Sequence, residues 1–442
     1  MSKELYDQEL ESMPKRTLMG MQLERLKDVV KRAYTASRFY RALYDEGGVS
    51  PSDIHSLDDI QNLPFLDADA LRDAYPNGLA ISPRRHFREV AGRRRSGCPP
   101  AVLFYTRKDL RLRAQLHART LVMAGLHEGD AVLNLVPCGI GGPGLGLTAG
   151  VHLAGMVAVP GDSCGSEELV RILSELGVAG IAARPADLLL LAQRCSQMKW
   201  EHDRAPKLKV ALACGGAWPD GERDESRLAL EEALGVPIVD GVAMTQPPVE
   251  GCGAECRCRD GLHIWADSFL VECVHPDTND WVEEGEVGEL VWTWLTGDGS
   301  ALIRYRSGDL ATLTWEGKCA CGRTHPKISP LLGRADESFT VAGHLVLAVQ
   351  LDKGLKRIPD LTGEYHVVVE RPRTIDRVTL QVEVRDSLLL QDKERARKIR
   401  MQVADAAKAV IGIRAQIDLV PPASLPRVSS RSQRIEDRRR AA

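Results

Sequence analysis

Apolar residues recur at three- and four-residue spacing from Leu18 to Tyr44, at Met21, Leu26, Val29, Val30, Ala33, Tyr34 and Phe39. That period predicts an amphipathic helical region. Ser50-Pro51-Ser52-Asp53 and Leu57-Asp58-Asp59-Ile60 each start a short helix. Residues 84–100 are basic and glycine-containing, and read as a loop. From Val102 the pattern alternates. Short apolar runs at 102–105, 131–136, 156–159, 180–184, 208–214 and 237–241 are separated by helical segments at 108–124, 167–176, 186–196 and 222–234. Unbroken apolar runs are what strands buried on both faces require. Their alternation with helices predicts a mostly parallel sheet covered by helices.

The pattern changes near Gly261. Residues 262–265, 270–274, 288–293, 304–306 and 311–314 read as strands joined by turns. After Arg334 comes a smaller α+β unit, with strands at 364–370 and 377–384, a helix at 393–410 and a strand at 416–420. The tail from Val428 is polar and arginine-rich, and is expected to be a solvated, mobile terminus. The fold class is therefore α/β. A large N-terminal domain, residues 1–333, carries a β-rich part at about 251–330, and a small α+β domain covers 334–442.

Composition narrows the function. The chain has 442 residues, 27% of them charged, with a formal net charge of −3. Nothing there points to nucleic acid or a membrane surface as a partner. No apolar run approaches the ~20 residues of a membrane span. Met1–Arg16 is charged and does not read as a signal peptide. The 11 cysteines form no disulfide framework, so a reduced, cytoplasmic protein is expected.

The cysteines do cluster. Cys252, Cys256 and Cys258 stand at one end of the β-rich part, and Cys319 and Cys321 at the other, with His263 between. Thiolate and imidazole together suit a structural zinc ion, for which four ligands suffice. Cys256, His263, Cys319 and Cys321 are the chosen set, and either Cys252 or Cys258 is able to replace Cys256. The Cys319-x-Cys321-Gly322 run is a knuckle in which glycine lets backbone amides approach sulfur. Such a site is closed, and so structural.

Longer motifs add to this. Gly261-Leu-His-Ile-Trp265, Ile303-Arg-Tyr-Arg-Ser-Gly-Asp309, Cys319-Ala-Cys-Gly-Arg-Thr-His-Pro326, Gly333-Arg-Ala-Asp336 and Leu425-Pro-Arg427 occur in that order. Ser37-Arg-Phe-Tyr40 and Tyr105-Thr-Arg-Lys-Asp-Leu110 precede them. Together they resemble the phenylacetate–CoA ligase group of adenylate-forming enzymes over nearly the whole chain. The resemblance implies a two-step reaction. A carboxylic acid first reacts with ATP and magnesium to give an acyl-adenylate, which CoA then converts to a thioester. It also implies the Cys/His/Cys/Cys zinc site, a mobile C-terminal domain and a small-molecule acid or acyl-CoA as partner, and it leaves room for a homodimer.

By the same resemblance, Asp309 takes the ribose hydroxyls and Gly215, Gly216 and Ala217 lie along adenine. Arg334 points at ribose or phosphate, and Asp336 marks the hinge. Three sites depart from the family pattern. The phosphate loop reads Arg93-Arg-Arg-Ser-Gly-Cys-Pro-Pro100, Gln246 replaces the magnesium-binding glutamate, and Ser430-Arg431 stands where the family has glycine and the catalytic lysine. An amide binds magnesium less well than a carboxylate, and arginine is not interchangeable with lysine. The segment Pro137–Gly142 lacks the aromatic residues expected of an aryl-acid pocket. Two readings follow: a diverged acid–CoA ligase using Gln246 and Arg431 as catalytic residues, or a degenerate relative that binds nucleotide or acyl-CoA, or acts as a partner protein, without acyl adenylation.

Overall fold

A computed structural model of the protein describes residues 5–93, 101–140, 142–197, 207–214, 223–245, 248–315, 317–372, 375–428 and 431–441. The helix Lys15–Ala36 buries Leu18, Leu26, Val29, Val30 and Ala33, as its spacing requires. Ser37 then caps the helix Arg38–Glu46 by accepting a hydrogen bond from the Tyr40 amide. Thr106 and Asp109 form a capping box at the start of Arg107–Met123. The Asp109 carboxylate also accepts from the amides of Asp298 and Gly299, at 2.8 and 2.9 Å.

One 12-stranded sheet runs through the larger part of the protein. Strands Val157–Pro160, Ala131–Asn134, Val178–Ala183, Val210–Cys214 and Ile238–Thr245 pair in parallel. Side chains alternate across this sheet, so Val132 and Leu133 enter different apolar clusters. The alternating pattern read from the sequence is thus real, and the β-rich part is a continuation of the same sheet. Pairing turns antiparallel at Ile238–Thr245 against Pro248–Glu255, then continues through Leu262–Ile264. No described helix is long and apolar enough to cross a membrane.

Three sequence expectations need correction. Residues 87–93 are not loop but a strand paired antiparallel with Ala101–Thr106, with Phe87 stacked on Phe104 at 4.6 Å. Charged residues mask its alternation. The strands expected at 304–306 and 311–314 are one strand, Tyr305–Thr314, bent where Gly308 takes φ +74°. The tail is not a loose terminus: Ile435–Asp437 adds a parallel strand to Leu361–Glu370. The smaller sheet it completes also contains Arg377–Val384 and Gln416–Val420, and covers a separate apolar cluster with Val403 and Ala407 of the helix Lys393–Ile411.

Charge holds the tail in place. Arg427 clasps Glu383, a fully buried carboxylate, at 2.7 Å. Arg438 reaches Glu370 at 2.8 Å, and Arg439 reaches Asp376 at 3.2 Å. Parallel strand hydrogen bonds alone are weak for three residues, so these pairs supply the anchoring.

A second set of buried pairs holds the N-terminal segment. Glu11 is fully buried and receives Arg323, whose guanidinium lies 2.7 Å away. Thr324 donates through its hydroxyl to Met13 O at 2.5 Å. His325 Nε2 donates to Leu10 O at 2.8 Å while Nδ1 accepts from the Ala266 amide at 3.0 Å. Burial pushes the His325 imidazole below its ordinary pKa, consistent with this neutral arrangement.

Removing one partner of a buried ion pair leaves an uncompensated charge. Glu11→Ala is therefore expected to destabilise the protein by about 3–5 kcal/mol in a denaturant titration. A loss under about 1 kcal/mol would contradict the account. Acid provides a second check. The Glu383 carboxyl is held down from 4.5 to about 2, chiefly by its hydrogen bonds from Arg427. A depressed folded-state value contributes stability above the unfolded value, and that contribution fades as pH falls from about 4.5 towards 2. Hydrogen-exchange protection along Leu361–Glu370, taken relative to the intrinsic rate at each pH, should fall in that window, and more so in the unaltered protein than in Glu383→Gln.

Candidate metal centre and nucleotide site

Cys256, His263, Cys319 and Cys321 are all buried, and their ligand atoms lie within 4.8 Å of one another. Local structure explains the convergence. Cys256 follows directly on the strand Pro248–Glu255, and His263 is the middle residue of Leu262–Ile264. Those strands pair, with Ala254 opposite His263. On the other side His263 pairs with Lys327, just past the knuckle. In the knuckle the Gly322 amide donates to Cys319 O at 2.8 Å, and Gly322 adopts φ +94°, which favours glycine.

The distances suit a tetrahedral ion. Metal–sulfur bonds of ~2.3 Å at the tetrahedral angle put sulfurs about 3.8 Å apart, and a sulfur and a nitrogen about 3.5 Å apart. Cys256 and Cys319 sulfurs are 3.8 Å apart, and Cys321 sulfur is 3.4 Å from His263 Nε2. His263 Nδ1 lies 3.3 Å from His325 O, so a proton held there leaves Nε2 free to ligate. Hydrogen bonds from Cys256 and His263 hold the Cys321 thiol well below its usual range, while the Cys256 thiol, donating to Cys321, is pushed up. Lys327 adds positive charge beside Cys319 and binds Asp260 at 2.7 Å.

Of the two alternative thiols, Cys252 lies in its own strand with its sulfur 3.6 Å from Val249 O, and Cys258 is half-buried. Neither belongs to the group of four. Behind the group sits Trp265, fully buried between Arg119 and Arg323, whose guanidiniums are 5.6 and 6.0 Å from its ring. Arg119 is in turn fixed on Asp267 at 2.7 Å.

The second candidate site is built on the bent strand. Asp309 lies opposite Arg334 in the strand register, and Arg334 Nη1 is 2.7 Å from its carboxylate. Arg334 Nε reaches Asp336 at 2.9 Å. Gly308 takes φ +74°, which favours glycine, and the Arg334 guanidinium packs against its bare Cα. Glu289 fixes the bend, accepting from the Gly308 amide at 3.1 Å and from Arg306 Nε at 3.0 Å. Asp309 and Arg334 are thus brought together. Residues Ala335–Glu337 then lead to Ser338–Val341, whose Phe339 belongs to the separate apolar cluster.

Other expected residues fall elsewhere. Gly215, Gly216, Ala217 and Gln246 lie outside the described residues, as do Arg94 and Arg95. Arg431 is not beside Asp309 but on the smaller unit, with Nε 2.5 Å from Asp352 and Nη1 3.6 Å from Glu337. Asp352 went unnoticed in the sequence. Its signal is a carboxylate on the apolar face of Ala348–Lys356, one residue from Leu351 and on the side of Leu355. Glu11 and Lys327 carried no comparable signal.

A sheet-bearing larger part, an aspartate–arginine pair at the exit of its bent strand, and a small α/β unit beyond define the adenylate-forming ligase fold. Residues 343–439 match the family model described as AMP-binding enzyme C-terminal domain. The chain is 34% identical over 436 residues to phenylacetate-coenzyme A ligase of Thermus thermophilus, covering 96% of this chain and 97% of that protein. It is 27% identical to phenylacetate-coenzyme A ligase of Escherichia coli, covering 96% and 95%. An open conformation of 2-hydroxyisobutyryl-CoA ligase, in complex with 2-HIB-AMP and CoA, matches with a TM-score of 0.85 at 26% identity, over 98% of this chain and 95% of that one. The same ligase in its thioesterification state matches with a TM-score of 0.70, over 98% and 92%. The chain belongs to the phenylacetate–coenzyme A ligase family.

Metal analysis tests the centre. About one zinc ion per chain is expected in the unaltered protein and in Cys258→Ser, and less than about a fifth of that in Cys321→Ser. Equal loss in both variants would put Cys258 in the ligand set.

Proposed function

We propose that the protein is an acid–CoA ligase that forms AMP. In the first step a substrate carboxylate oxygen attacks the α-phosphorus of ATP. The bond to the bridging oxygen breaks, and pyrophosphate leaves with the electron pair. In the second step the CoA thiolate attacks the acyl carbon, and AMP leaves with the carboxyl-derived oxygen. The thiol proton goes to solvent.

The residues divide this work. Asp309 accepts the ribose hydroxyls, which requires Arg334 to share or release it. Gly215, Gly216 and Ala217 pass adenine at the end of Val210–Cys214, the carboxyl end of a parallel strand, where open α/β sheets bind ligands. Arg431 supplies the cation for the charge that develops during phosphoryl transfer. Gln246 stands at the magnesium position and offers one neutral oxygen, so magnesium is held mainly by the nucleotide phosphates. Zinc at Cys256, His263, Cys319 and Cys321 is structural and takes no part in either step.

The observation that carries this reading is the Asp309–Arg334 pair at the exit of the bent strand, 2.7 Å apart. It sets one carboxylate and one guanidinium where the larger part of the fold meets the smaller. The non-aromatic segment Pro137–Gly142 favours a small aliphatic acid over an aryl acid.

Pyrophosphate release with a panel that includes phenylacetate, 2-hydroxyisobutyrate and short fatty acids tests the reading. Release with at least one acid, followed by CoA-dependent AMP release, is expected. Asp309→Asn should lower kcat/KM for ATP by about 10- to 100-fold, the value of hydrogen bonds to a charged acceptor. No release with any acid at high enzyme concentration would overturn it.

A further inference from the structure

Resting on that reading of Arg431, we propose that Asp352 is a positioning residue that aims the Arg431 guanidinium at the nucleotide phosphates. The side chain of Asp352 is only 10% exposed and lies on the helix Ala348–Lys356, whose Leu351 and Leu355 are locked into the smaller apolar cluster. Its Oδ2 is 2.5 Å from Arg431 Nε. A carboxylate held at Nε fixes the plane of the guanidinium and turns the Nη end outward. The Arg431 side chain is 31% exposed, so that end reaches solvent. There Nη1 meets Glu337 at 3.6 Å, an ion-pair distance beyond hydrogen-bond reach.

The backbone on either side is equally constrained. Arg431 opens the turn Arg431–Arg434, and the strand Ile435–Asp437 follows at once in register with Val367–Val369. Arg434 holds the end of that turn, reaching Glu364 at 2.9 Å and lying 4.9 Å above the Tyr365 ring. Asp352 and Arg431 thus move as one body with the smaller sheet. Glu337 sits on the connection from the larger one. A long, flexible arginine is then presented in one orientation, which limits the entropy lost when phosphate binds.

Calorimetry on the full chain tests this without knowledge of the acid. ATP–Mg²⁺ and AMP are titrated separately into the unaltered protein, Arg431→Ala, Asp352→Asn, Asp352→Glu, the double variant Asp352→Asn/Arg431→Ala, and Glu370→Gln. Arg431→Ala and Asp352→Asn are each expected to weaken ATP–Mg²⁺ about tenfold and leave AMP unchanged, with the double variant no worse than Arg431→Ala alone. Asp352→Glu keeps the charge, shifts it by one methylene and should give the ATP–Mg²⁺ loss in a protein that still folds. Glu370→Gln removes the pair with Arg438 further along the tail and should leave both affinities intact. If Asp352→Asn and Asp352→Glu bind ATP–Mg²⁺ normally while Arg431→Ala does not, the positioning role is wrong and the role of Arg431 stands. If Arg431→Ala binds ATP–Mg²⁺ normally, or the unaltered protein does not bind it, the role of Arg431 fails and the positioning role with it. Equal weakening of ATP–Mg²⁺ and AMP in Asp352→Asn would make the residue merely structural.

Discussion

Three thiols and one imidazole brought within 4.8 Å of each other are the constraint on which the middle of this protein depends. They come from the two ends of a segment that starts at Cys256 and ends at Cys321. Closing so long a loop costs chain entropy that strand pairing alone recovers slowly. An ion bound to the four ligands would couple that closure to the formation of the site. The knuckle has a second task. The residues directly after it, Arg323, Thr324 and His325, bind Glu11, Met13 and Leu10. One short run of sequence therefore fastens both the metal centre and the start of the chain.

Buried arginines extend the same logic outward. Arg119 with Asp267, Arg323 with Glu11, and Arg304 with Glu272 are all nearly sealed from solvent. Pairs of this kind add little net stability over apolar packing, but each partner is costly to leave alone. They act as registration pins. Arg304 illustrates this: besides Glu272 it donates to Leu63 O and Gln61 O, tying the N-terminal helices to the start of the bent strand. That strand carries Asp309 and is bent by Gly308, so the placing of the Asp309–Arg334 pair is inherited from charges some distance away.

How much of this could be read in advance follows from what each signal depends on. The parallel sheet was legible because strands buried on both faces must be continuously apolar, as in Val178–Ala183. The cluster of Cys256, His263, Cys319 and Cys321 was legible because thiols gathered so densely in polar sequence are rare. The strand Phe87–Arg93 was not, because its charged residues read as loop and only its partner Ala101–Thr106 gives it order. Ile435–Asp437 was hidden for the same reason. It is short and polar, and its place is decided by a distant edge and by arginine pairs such as Arg438 with Glu370. The site was legible as a list of residues but not as an arrangement. The sequence placed Asp309 and Arg334 near a cleft without revealing that they pair, and placed Arg431 near phosphate without revealing Asp352 behind it.

The two ends of the proposed reaction site thus differ in how they are held. The ribose end is rigid, built on a strand braced by Glu289 and Arg304, while the phosphate end rides on the smaller sheet with Arg431. Both depend on the β-rich segment being closed. X-ray absorption at the zinc edge of the purified full-length protein tests that closure most directly. The account expects one zinc shell of three sulfurs at ~2.3 Å and one nitrogen at ~2.0 Å. No zinc signal, or a shell of oxygen and nitrogen alone, would contradict it.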